Sequence, residues 1–262
     1  MKASLEDTLA LMRDLRKRCE WDAAQTHESL RPYLIEEAHE VDEALLAHDD
    51  ARLREELGDL LLQILFHSVI AEERGAFALH DVATSFITKM KGRHPHLYGE
   101  GAREPWEAMK AKKRESITEG LPAGLPSLHR AYRLQDRAAG VGFDWPTTEG
   151  PLEKVREELN EVEQELEHLG EASRDNTPKY DQTHDRLQDE IGDLLFAVVN
   201  LARKSGVHPA LALDRANQKF SRRFQGIEKL ASDRGIAVSE AGLAVLDSLW
   251  DEVKAHEEGG PA

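Results

Sequence analysis

The sequence has little cysteine, few aromatic residues and a deficit of basic charge. Cys19 is the only cysteine among 262 residues, so no disulfide can form within the chain and a reducing compartment is expected. Aromatic residues make up 6%, and 50 acidic residues against 34 Lys and Arg give a formal charge of −16. Because phosphate backbones attract surplus Lys and Arg, nucleic acid is not expected as a partner.

Long apolar runs are also missing. The longest, at 60–66 and 194–199, are far shorter than the roughly 20 residues that span a membrane. The stretch 1–19 carries charges where a signal peptide has an apolar core. We therefore expect a cytoplasmic protein that does not bind membranes. The acidic surplus fits either plain solubility or the capture of divalent cations.

Helical periodicity dominates the chain. Apolar residues recur at steps of three and four over 34–45, 152–166 and 187–201, while alternating runs rich in Val, Ile and Thr are scarce. This pattern predicts an all-α protein. The polar stretch 167–184 is predicted to be a long exposed loop between two helices.

The two halves of the chain look duplicated. Segment 34–45 parallels 155–166, and segment 54–66 parallels 188–200. Three further pairs of elements recur in the same order: Lys89 and Arg93 with Lys219 and Arg223, Trp106 and Lys110 with Trp250 and Lys254, and Glu20-Trp21 with Asp144-Trp145. We predict two helical bundle domains, at 1–119 and 128–262, joined by a linker at 120–127 that is rich in Gly and Pro.

Four pairs of acidic residues lie at the borders of the apolar stripes. Residues three apart share a helix face, so each pair points the same way. The pairs are Glu37 with Glu40, Glu56 with Asp59, Glu158 with Glu161, and Glu190 with Asp193. Helices packed along these stripes would bring the carboxylates together, which is unfavourable unless a cation intervenes. Oxygen ligands without Cys or a repeated His favour Mg²⁺, with Mn²⁺ as a substitute.

Two other interpretations of the acidic pairs stay open. The first is a solvated acidic face with ordinary ion pairs along each helix. The second is a carboxylate-bridged di-iron bundle, which uses Glu-x-x-His pairs. Glu36 and His39 have that spacing, but the counterpart of His39 in the second half is Asn160.

Basic and aromatic residues of the second half form a candidate phosphate-binding group. Lys219 and Arg223 lie four apart and suit either a clamp on phosphate oxygens or a basic helix face that balances the acids. Trp250, with Lys254 four residues later, suits either a stacking surface for a base or a core position. His94 and His96 flank Pro95, which favours a structural turn over a metal site.

These motifs together resemble the MazG family of nucleoside triphosphate pyrophosphohydrolases, in its two-domain form. The resemblance rests on segments 36–40, 55–59, 157–161, 189–193, 216–224 and 143–145. It implies an all-α, Mg²⁺-dependent, ATP-binding and usually dimeric enzyme. Such an enzyme cleaves nucleoside triphosphates into a monophosphate and pyrophosphate and clears nucleotide pools.

The resemblance also implies roles for individual residues. Implied metal ligands are Glu158, Glu161, Glu190 and Asp193, and in the first half Glu37, Glu40, Glu56 and Asp59. Implied nucleotide contacts are Lys154, Lys219, Arg223, Trp250 and Lys254, together with Glu158 and Asp193. Glu157 joins the ligands as a candidate acceptor of the proton of the attacking water.

We expect the second half to carry most of the turnover, because its cationic helix is the more complete. The first half is then a weaker site or a scaffold for dimerisation. A non-catalytic dimer that senses Mg²⁺ or nucleotide is the alternative from another class. A related enzyme restricted to deoxyuridine or deoxycytidine nucleotides also stays open.

Overall fold

The computed structural model describes residues 3–99, 106–111, 114–175 and 179–258, except for the side chains of 106–108, 171–175, 179–181 and 258. Those residues form helices and connecting turns, and no strand occurs among them, which confirms the predicted all-α class. The chain divides into two compact units, Met1–Arg103 and Glu104–Ala262. Within the described residues, no helix is both long enough and apolar enough to cross a membrane.

The first unit is built around a hairpin of two helices. Its helices are α1 (Leu5–Arg18), α2 (Glu20–Ala24), α3 (Arg31–Ala47), α4 (Asp50–Glu73), α5 (Leu79–Arg93) and α6 (Pro95–Tyr98). His48 ends α3 in the left-handed conformation, and the carboxylate of Asp49 accepts hydrogen bonds from the first amides of α4. This two-residue joint folds α4 back along α3, so the acids of the two helices face each other.

The core of the first unit lies along the second half of α4. Met12 of α1 and Leu30 pack with a buried group on α4, namely Leu65, Phe66, Val69 and Ile70. Burying these side chains fixes the rotation of α4 about its axis. The same rotation places Glu56 and Asp59, about two to four turns earlier, next to Glu37 of α3.

The second unit repeats the paired long helices. Its helices are α7 (Trp106–Ala111), α8 (Ser127–Gly140), α9 (Glu149–Asp175), α10 (Lys179–Lys204), α11 (Pro209–Asp233) and α12 (Gly242–Glu258). Helices α9 and α10 pack along each other, and α8 packs against both α10 and α11. Helices α11 and α12 form a second pair around Ile227, Ala231 and Leu249.

The loop predicted over 167–184 is not present in the described residues of that stretch. Residues 167–175 continue α9, and residues 179–184 begin α10. Thr183 is buried there, and Arg186 of α10 lies 3.6 Å from Glu165 of α9. The prediction failed because low apolar content was interpreted as a loop. Glu, Gln, Leu and Ala are good helix formers, and two long helices that cover each other need few large apolar residues.

The predicted linker at 120–127 lies within the second unit. The segment just before it is attached to α8, because the buried Arg137 donates hydrogen bonds to the carbonyls of Ile117 and Glu119 at 2.7 and 2.8 Å. The prediction of domains at 1–119 and 128–262 stays a prediction.

Candidate active site

Three carboxylates converge in the second unit between α9 and α10. Glu158, Glu190 and Asp193 each offer an oxygen, and these oxygens lie within 4.8 Å of one another. Oxygens on opposite sides of a Mg²⁺ ion lie about 4.2 Å apart, so a small inward movement would let all three bind one ion. The donor set consists of hard carboxylate oxygens and therefore fits the predicted cation.

The environment of these acids favours added positive charge. Glu158 is only 4% exposed. The pKa of Glu161 is raised by its hydrogen bond with Glu158, then by burial and by the negative charges of Glu158 and Glu190. A raised carboxyl pKa is a sign of negative charge that the surroundings do not balance. Glu161, the fourth predicted ligand, therefore lies beside the cluster of three.

Lys154 supplies one positive charge at the edge of the cluster. Its Nζ donates to Oε1 of Glu157 at 2.8 Å and lies 2.5 Å from Oε1 of Glu158. These two hydrogen bonds, first from Glu157 and then from Glu158, raise the pKa of Lys154. Lys154 is thus charged and placed next to the acids, as a phosphate contact would need to be. Glu157, the predicted proton acceptor, is paired with this lysine.

The cluster opens on a cavity that the sequence did not reveal. The cavity has a volume of about 580 Å³, within the usual range for small-molecule sites. Lys154, Glu158 and Asp193 line one part of it, and the rest of the lining is mainly apolar, from Leu134, Ala138, Phe143, Trp145, Phe196 and Ala197.

Two buried amide side chains, Gln135 of α8 and Asn200 of α10, also line the cavity. A polar residue at a buried position of a helix is the signal that could have identified them, but no single position of that kind stands out from one sequence.

The loop between α8 and α9 is held over the cavity by an ion-pair group. Asp144 accepts hydrogen bonds from Arg203 at 2.5 Å and from Lys204 at 3.0 Å. Burial alone would raise the pKa of Asp144, but these hydrogen bonds outweigh it, and the pKa lies below its usual range. Trp145 follows Asp144 and packs so closely on Gly150 that an added Cβ there would lie 2.0 Å from the indole Cδ1. Asp144-Trp145, the second copy of the recurring motif of an acidic residue and Trp, therefore shapes the cavity.

The predicted basic and aromatic residues lie together on α11 and α12. The guanidinium of Arg223 lies 5.6 Å from the centre of the Trp250 ring and donates to Glu257 at 2.8 Å. Trp250 also packs against the core of this helix pair, as expected for a core position, and its role in stacking on a base stays a prediction. Lys219, Arg223 and Trp250 border a shallow pocket of about 340 Å³, which is distinct from the cavity beside the acids. Lys254 lies on α12, one turn after Trp250.

The comparison with known proteins agrees with this geometry. The model of the MazG nucleotide pyrophosphohydrolase domain matches residues 25–98 and 147–227, which contain all eight predicted metal ligands. The chain belongs to the MazG family.

Several named relatives support this assignment. The chain is 40% identical over 262 residues to the nucleoside triphosphate pyrophosphohydrolase/pyrophosphatase MazG of Thermotoga maritima, covering 97% of this chain and 96% of that protein. It is 37% identical over 258 residues to the nucleoside triphosphate pyrophosphohydrolase of Escherichia coli (strain K12), covering 94% of each. A nucleoside triphosphate pyrophosphohydrolase of Mycobacterium tuberculosis is 40% identical over 149 residues, covering 53% of this chain and 46% of that protein.

The first MazG domain repeats the acidic cluster. Oxygens of Glu37, Glu56 and Asp59 lie within 4.8 Å of one another. Burial, followed by the charges of Asp59 and Glu40, raises the pKa of Glu37. Arg52 lies 3.2 Å from Glu56 and also pairs with Glu43, so a cation borders this cluster too. Both domains can therefore hold a divalent cation.

The first MazG domain differs from the second in what surrounds the acids. Lys154 lies four residues before Glu158, and the same place before Glu37 is held by Tyr33. Asn200 lies seven residues after Asp193, and the same place after Asp59 is held by Phe66. Phe66 is fully buried in the core of the first unit, so an apolar ring replaces an amide that lines the cavity of the second.

The basic and aromatic residues of the first domain can be compared only in part with their counterparts in the second domain. Lys89 and Arg93 lie on α5, as Lys219 and Arg223 lie on α11. The side chain of Trp106 lies outside the described residues. His94 ends α5, and its Nδ1 lies 2.8 Å from the carbonyl of Met90, which is a structural contact of the predicted kind.

Proposed function

We propose that this MazG-family chain hydrolyses nucleoside triphosphates between the α and β phosphates, with Mg²⁺ as cofactor and Mn²⁺ as a substitute. One observation carries the proposal. Glu158, Glu190 and Asp193 form a cluster of carboxylates, and Glu158 and Asp193 of this cluster line a largely apolar cavity of about 580 Å³ together with Lys154. A cation held by these acids would attract the anionic triphosphate of a nucleotide, and the apolar cavity would accommodate its flat base. The names of the relatives agree with it.

The acids of the second unit would hold the cofactor in this mechanism. Glu158, Glu190 and Asp193, with Glu161 beside them, are the proposed ligands. When bound, the ion neutralises triphosphate oxygens and lowers the pKa of the attacking water. A carboxylate of the group, Glu157 or a ligand, accepts the proton of that water. The oxygen of the water bonds to the α phosphorus while the bond to the bridging oxygen of pyrophosphate breaks.

Cationic side chains would stabilise the departing pyrophosphate. Lys154 is held at 2.5 Å from Glu158, where its charge would also attract a phosphate oxygen of the substrate. Lys219 and Arg223 are the proposed clamp at the other end of the triphosphate, with Trp250 and Lys254 as further contacts.

We also propose that the chain works as a homodimer. Ile191, Leu195 and Val198 form an apolar stripe on α10, and Leu159 and Leu166 form another on α9; all five are exposed within one chain. Apolar stripes on both helices of the metal-binding pair are typical of a face that packs against another protein. A second copy of this chain is the simplest partner.

The second domain is the proposed main catalytic half. Its acids adjoin a cavity with Lys154 and Asn200, whereas the first domain has Tyr33 and the buried Phe66 at those places. The first domain would then serve as a weaker metal site or a scaffold. The proposed role is the housekeeping of nucleotide pools in the cytoplasm, where a chain with the single cysteine Cys19 would stay reduced.

Product analysis tests the reaction. We expect the purified chain with Mg²⁺ to convert a nucleoside triphosphate into the monophosphate and pyrophosphate in equal amounts, resolved by anion-exchange chromatography, and to stop when the metal is chelated. Orthophosphate as the main product would overturn the proposed bond cleavage. Nucleotide binding without any product would favour a regulatory role instead.

A further inference from the structure

Gln135, which lines the cavity of the second unit, has a buried polar atom that nothing in the described part of the chain satisfies. Gln135 of α8 is only 7% exposed, and its Nε2 donates to the carbonyl of Phe196 on α10 at 2.8 Å. This bond fixes the orientation of the amide. Its Oε1 is buried and has no hydrogen-bond partner among the described residues. A buried acceptor without a donor is unfavourable, so a ligand that brings a donor would be bound preferentially.

Asn200 offers the complementary group one helical turn after Phe196. Its Oδ1 accepts hydrogen bonds from Nε and Nη2 of Arg203, at 3.0 and 2.9 Å. Arg203 is itself held by Asp144. Because the oxygen of Asn200 is engaged, its amide N–H groups are what it can offer to a ligand. The cavity therefore presents a fixed acceptor from Gln135 and a fixed donor from Asn200.

Aromatic side chains complete the cavity. Phe143 and Trp145, on the loop that Asp144 holds, line the cavity together with Phe196. Flat apolar faces combined with one acceptor and one donor match the chemistry of a heteroaromatic ring with a mixed hydrogen-bonding edge.

We propose that this cavity binds the nucleobase and that Gln135 and Asn200 read its Watson–Crick edge. An N–H or amino group of the base donates to Oε1 of Gln135, and the neighbouring ring nitrogen or carbonyl accepts from Asn200. This inference rests on the proposed function. Each of the common bases has a donor beside an acceptor on that edge, so the site accepts several bases and discriminates against analogues that lack either group.

Substrate pairs that differ by a single group test the role of Gln135. Purine riboside triphosphate is ATP without its amino group, and the triphosphate of pyrimidin-2-one riboside is CTP without its amino group. We expect kcat/KM to favour the natural substrate of each pair by about tenfold or more, because the analogue leaves Oε1 of Gln135 unpaired. In Gln135→Met that ratio should fall to near one.

Gln63→Met is a matched control. Gln63 of α4 is 4% exposed and also has a buried, unpartnered Oε1, but it lies in the first unit. Its replacement removes a comparable buried amide, so any general loss of stability is shared. We expect Gln63→Met to keep the full preference for ATP and CTP.

A second pair tests Asn200 and does not depend on the folding of the Gln135 variant. The triphosphate of 1-deazaadenosine keeps the amino group of ATP but has a C–H in place of the ring acceptor. We expect the wild-type chain to prefer ATP to this analogue, and Asn200→Leu to lose that preference. The same variant should keep the preference for ATP over purine riboside triphosphate, which depends on Gln135.

Three results would overturn the inference. They are equal kcat/KM for both members of every pair in the wild-type chain, unchanged ratios in both variants, and a preference that follows the ribose hydroxyls instead of the base. In each case pyrophosphate would still be released, and the proposed function would stand. A wild-type chain that releases no pyrophosphate from any nucleoside triphosphate would instead overturn the proposed function itself.

Discussion

Substitution of a single carboxylate in each acidic cluster tests whether the two clusters contribute differently to turnover. Glu158 is buried and lines the cavity of the second unit, whereas Glu37 is half-buried in the acidic cluster of the first unit. We expect Glu158→Gln to lower kcat by about 100-fold or more, because a neutral amide is a weaker ligand and leaves less negative charge to balance the cation. Glu37→Gln should lower it by less than about fivefold on the same scale. Steady-state release of pyrophosphate measures both.

Glu163→Gln controls for the loss of one charge on the same helix. Glu163 is exposed on α9, outside the cluster, and its replacement should leave kcat unchanged. Titration with Mn²⁺, followed calorimetrically, should show weaker binding for Glu158→Gln alone among the variants of α9. Equal losses of turnover from Glu37→Gln and Glu158→Gln would contradict the proposed asymmetry between the halves.

Helix starts and loops control the shape of the cavity. Gly150 lies in the first turn of α9 under the indole of Trp145, where an added Cβ would lie 2.5 Å from the ring nitrogen. Gly150→Ala should displace Trp145 and lower kcat/KM by about tenfold or more, because small errors in placement are costly for catalysis. We expect the change mainly in KM, measured with saturating Mg²⁺.

Gly170→Ala is the matched control on the same helix. No atom lies within 4 Å of a Cβ added at Gly170, which is exposed. Alanine is the better helix former, so this change should leave kcat/KM unchanged and stabilise the fold by about 0.5–1 kcal/mol. If both variants kept wild-type kinetics, the position of Trp145 would not matter to the site.

A histidine pair makes the stability of the first unit depend on pH. Nδ1 of His27 lies 2.8 Å from Nδ1 of His67, and the rings stack. Burial, and then the charge of His27, lowers the pKa of His67 below its usual 6.5. The folded state therefore binds fewer protons than the unfolded state, and stability is lost as pH falls below about 6.5, by at most about 1.4 kcal/mol per pH unit for one proton.

His67→Phe keeps a ring at this place and removes its titration. We expect the difference in unfolding free energy between pH 7.5 and pH 5.5 to be smaller in the variant, measured by urea denaturation of the whole chain. His256, near the end of α12 and exposed, provides a control substitution that should leave the pH dependence unchanged. A variant that is as pH-dependent as wild type would show that other groups carry the effect.

Helices with a clear apolar stripe, and the acids beside those stripes, could be predicted from the sequence. Glu158, Glu190 and Asp193 could be identified because each lies at a fixed spacing from an apolar stripe and recurs in the other half, and the structure brings them within 4.8 Å. The extension of α9 and α10 through most of 167–184 could not be predicted, since the stabilising contact, as between Glu165 and Arg186, comes from the facing helix.

The cavity was not predictable for a related reason. Gln135 and Asn200 have no spacing relation in the chain, because they lie on α8 and α10 and meet only when Gln135 bonds the carbonyl of Phe196. Sequence periodicity describes one helix at a time. Sites assembled from side chains of separate helices depend on how those helices pack, which a single sequence does not contain.

At the scale of the whole molecule, the duplicated halves share the acidic clusters and differ in what surrounds them. Both units have three converging acids. Phe66 is packed in the core of the first unit, whereas Asn200, at the equivalent position of the second unit, lines the cavity. A metal site needs only a few oxygens at the right spacing, whereas a nucleotide site also needs volume and hydrogen-bonding groups. The first unit has kept the simpler requirement, which suits a supporting role beside the second.

The assembly of two chains is the remaining whole-molecule prediction. Leu195 is 54% exposed in the apolar stripe of α10, and burying a charge there would cost several kcal/mol in a dimer. We expect Leu195→Glu to run as a monomer in size-exclusion chromatography with light scattering and to lose most of its turnover. Val207→Glu, at a 46% exposed position between α10 and α11, should stay dimeric and active. A wild-type chain that is monomeric at all concentrations, or a dimeric Leu195→Glu with full activity, would contradict dimerisation through this stripe.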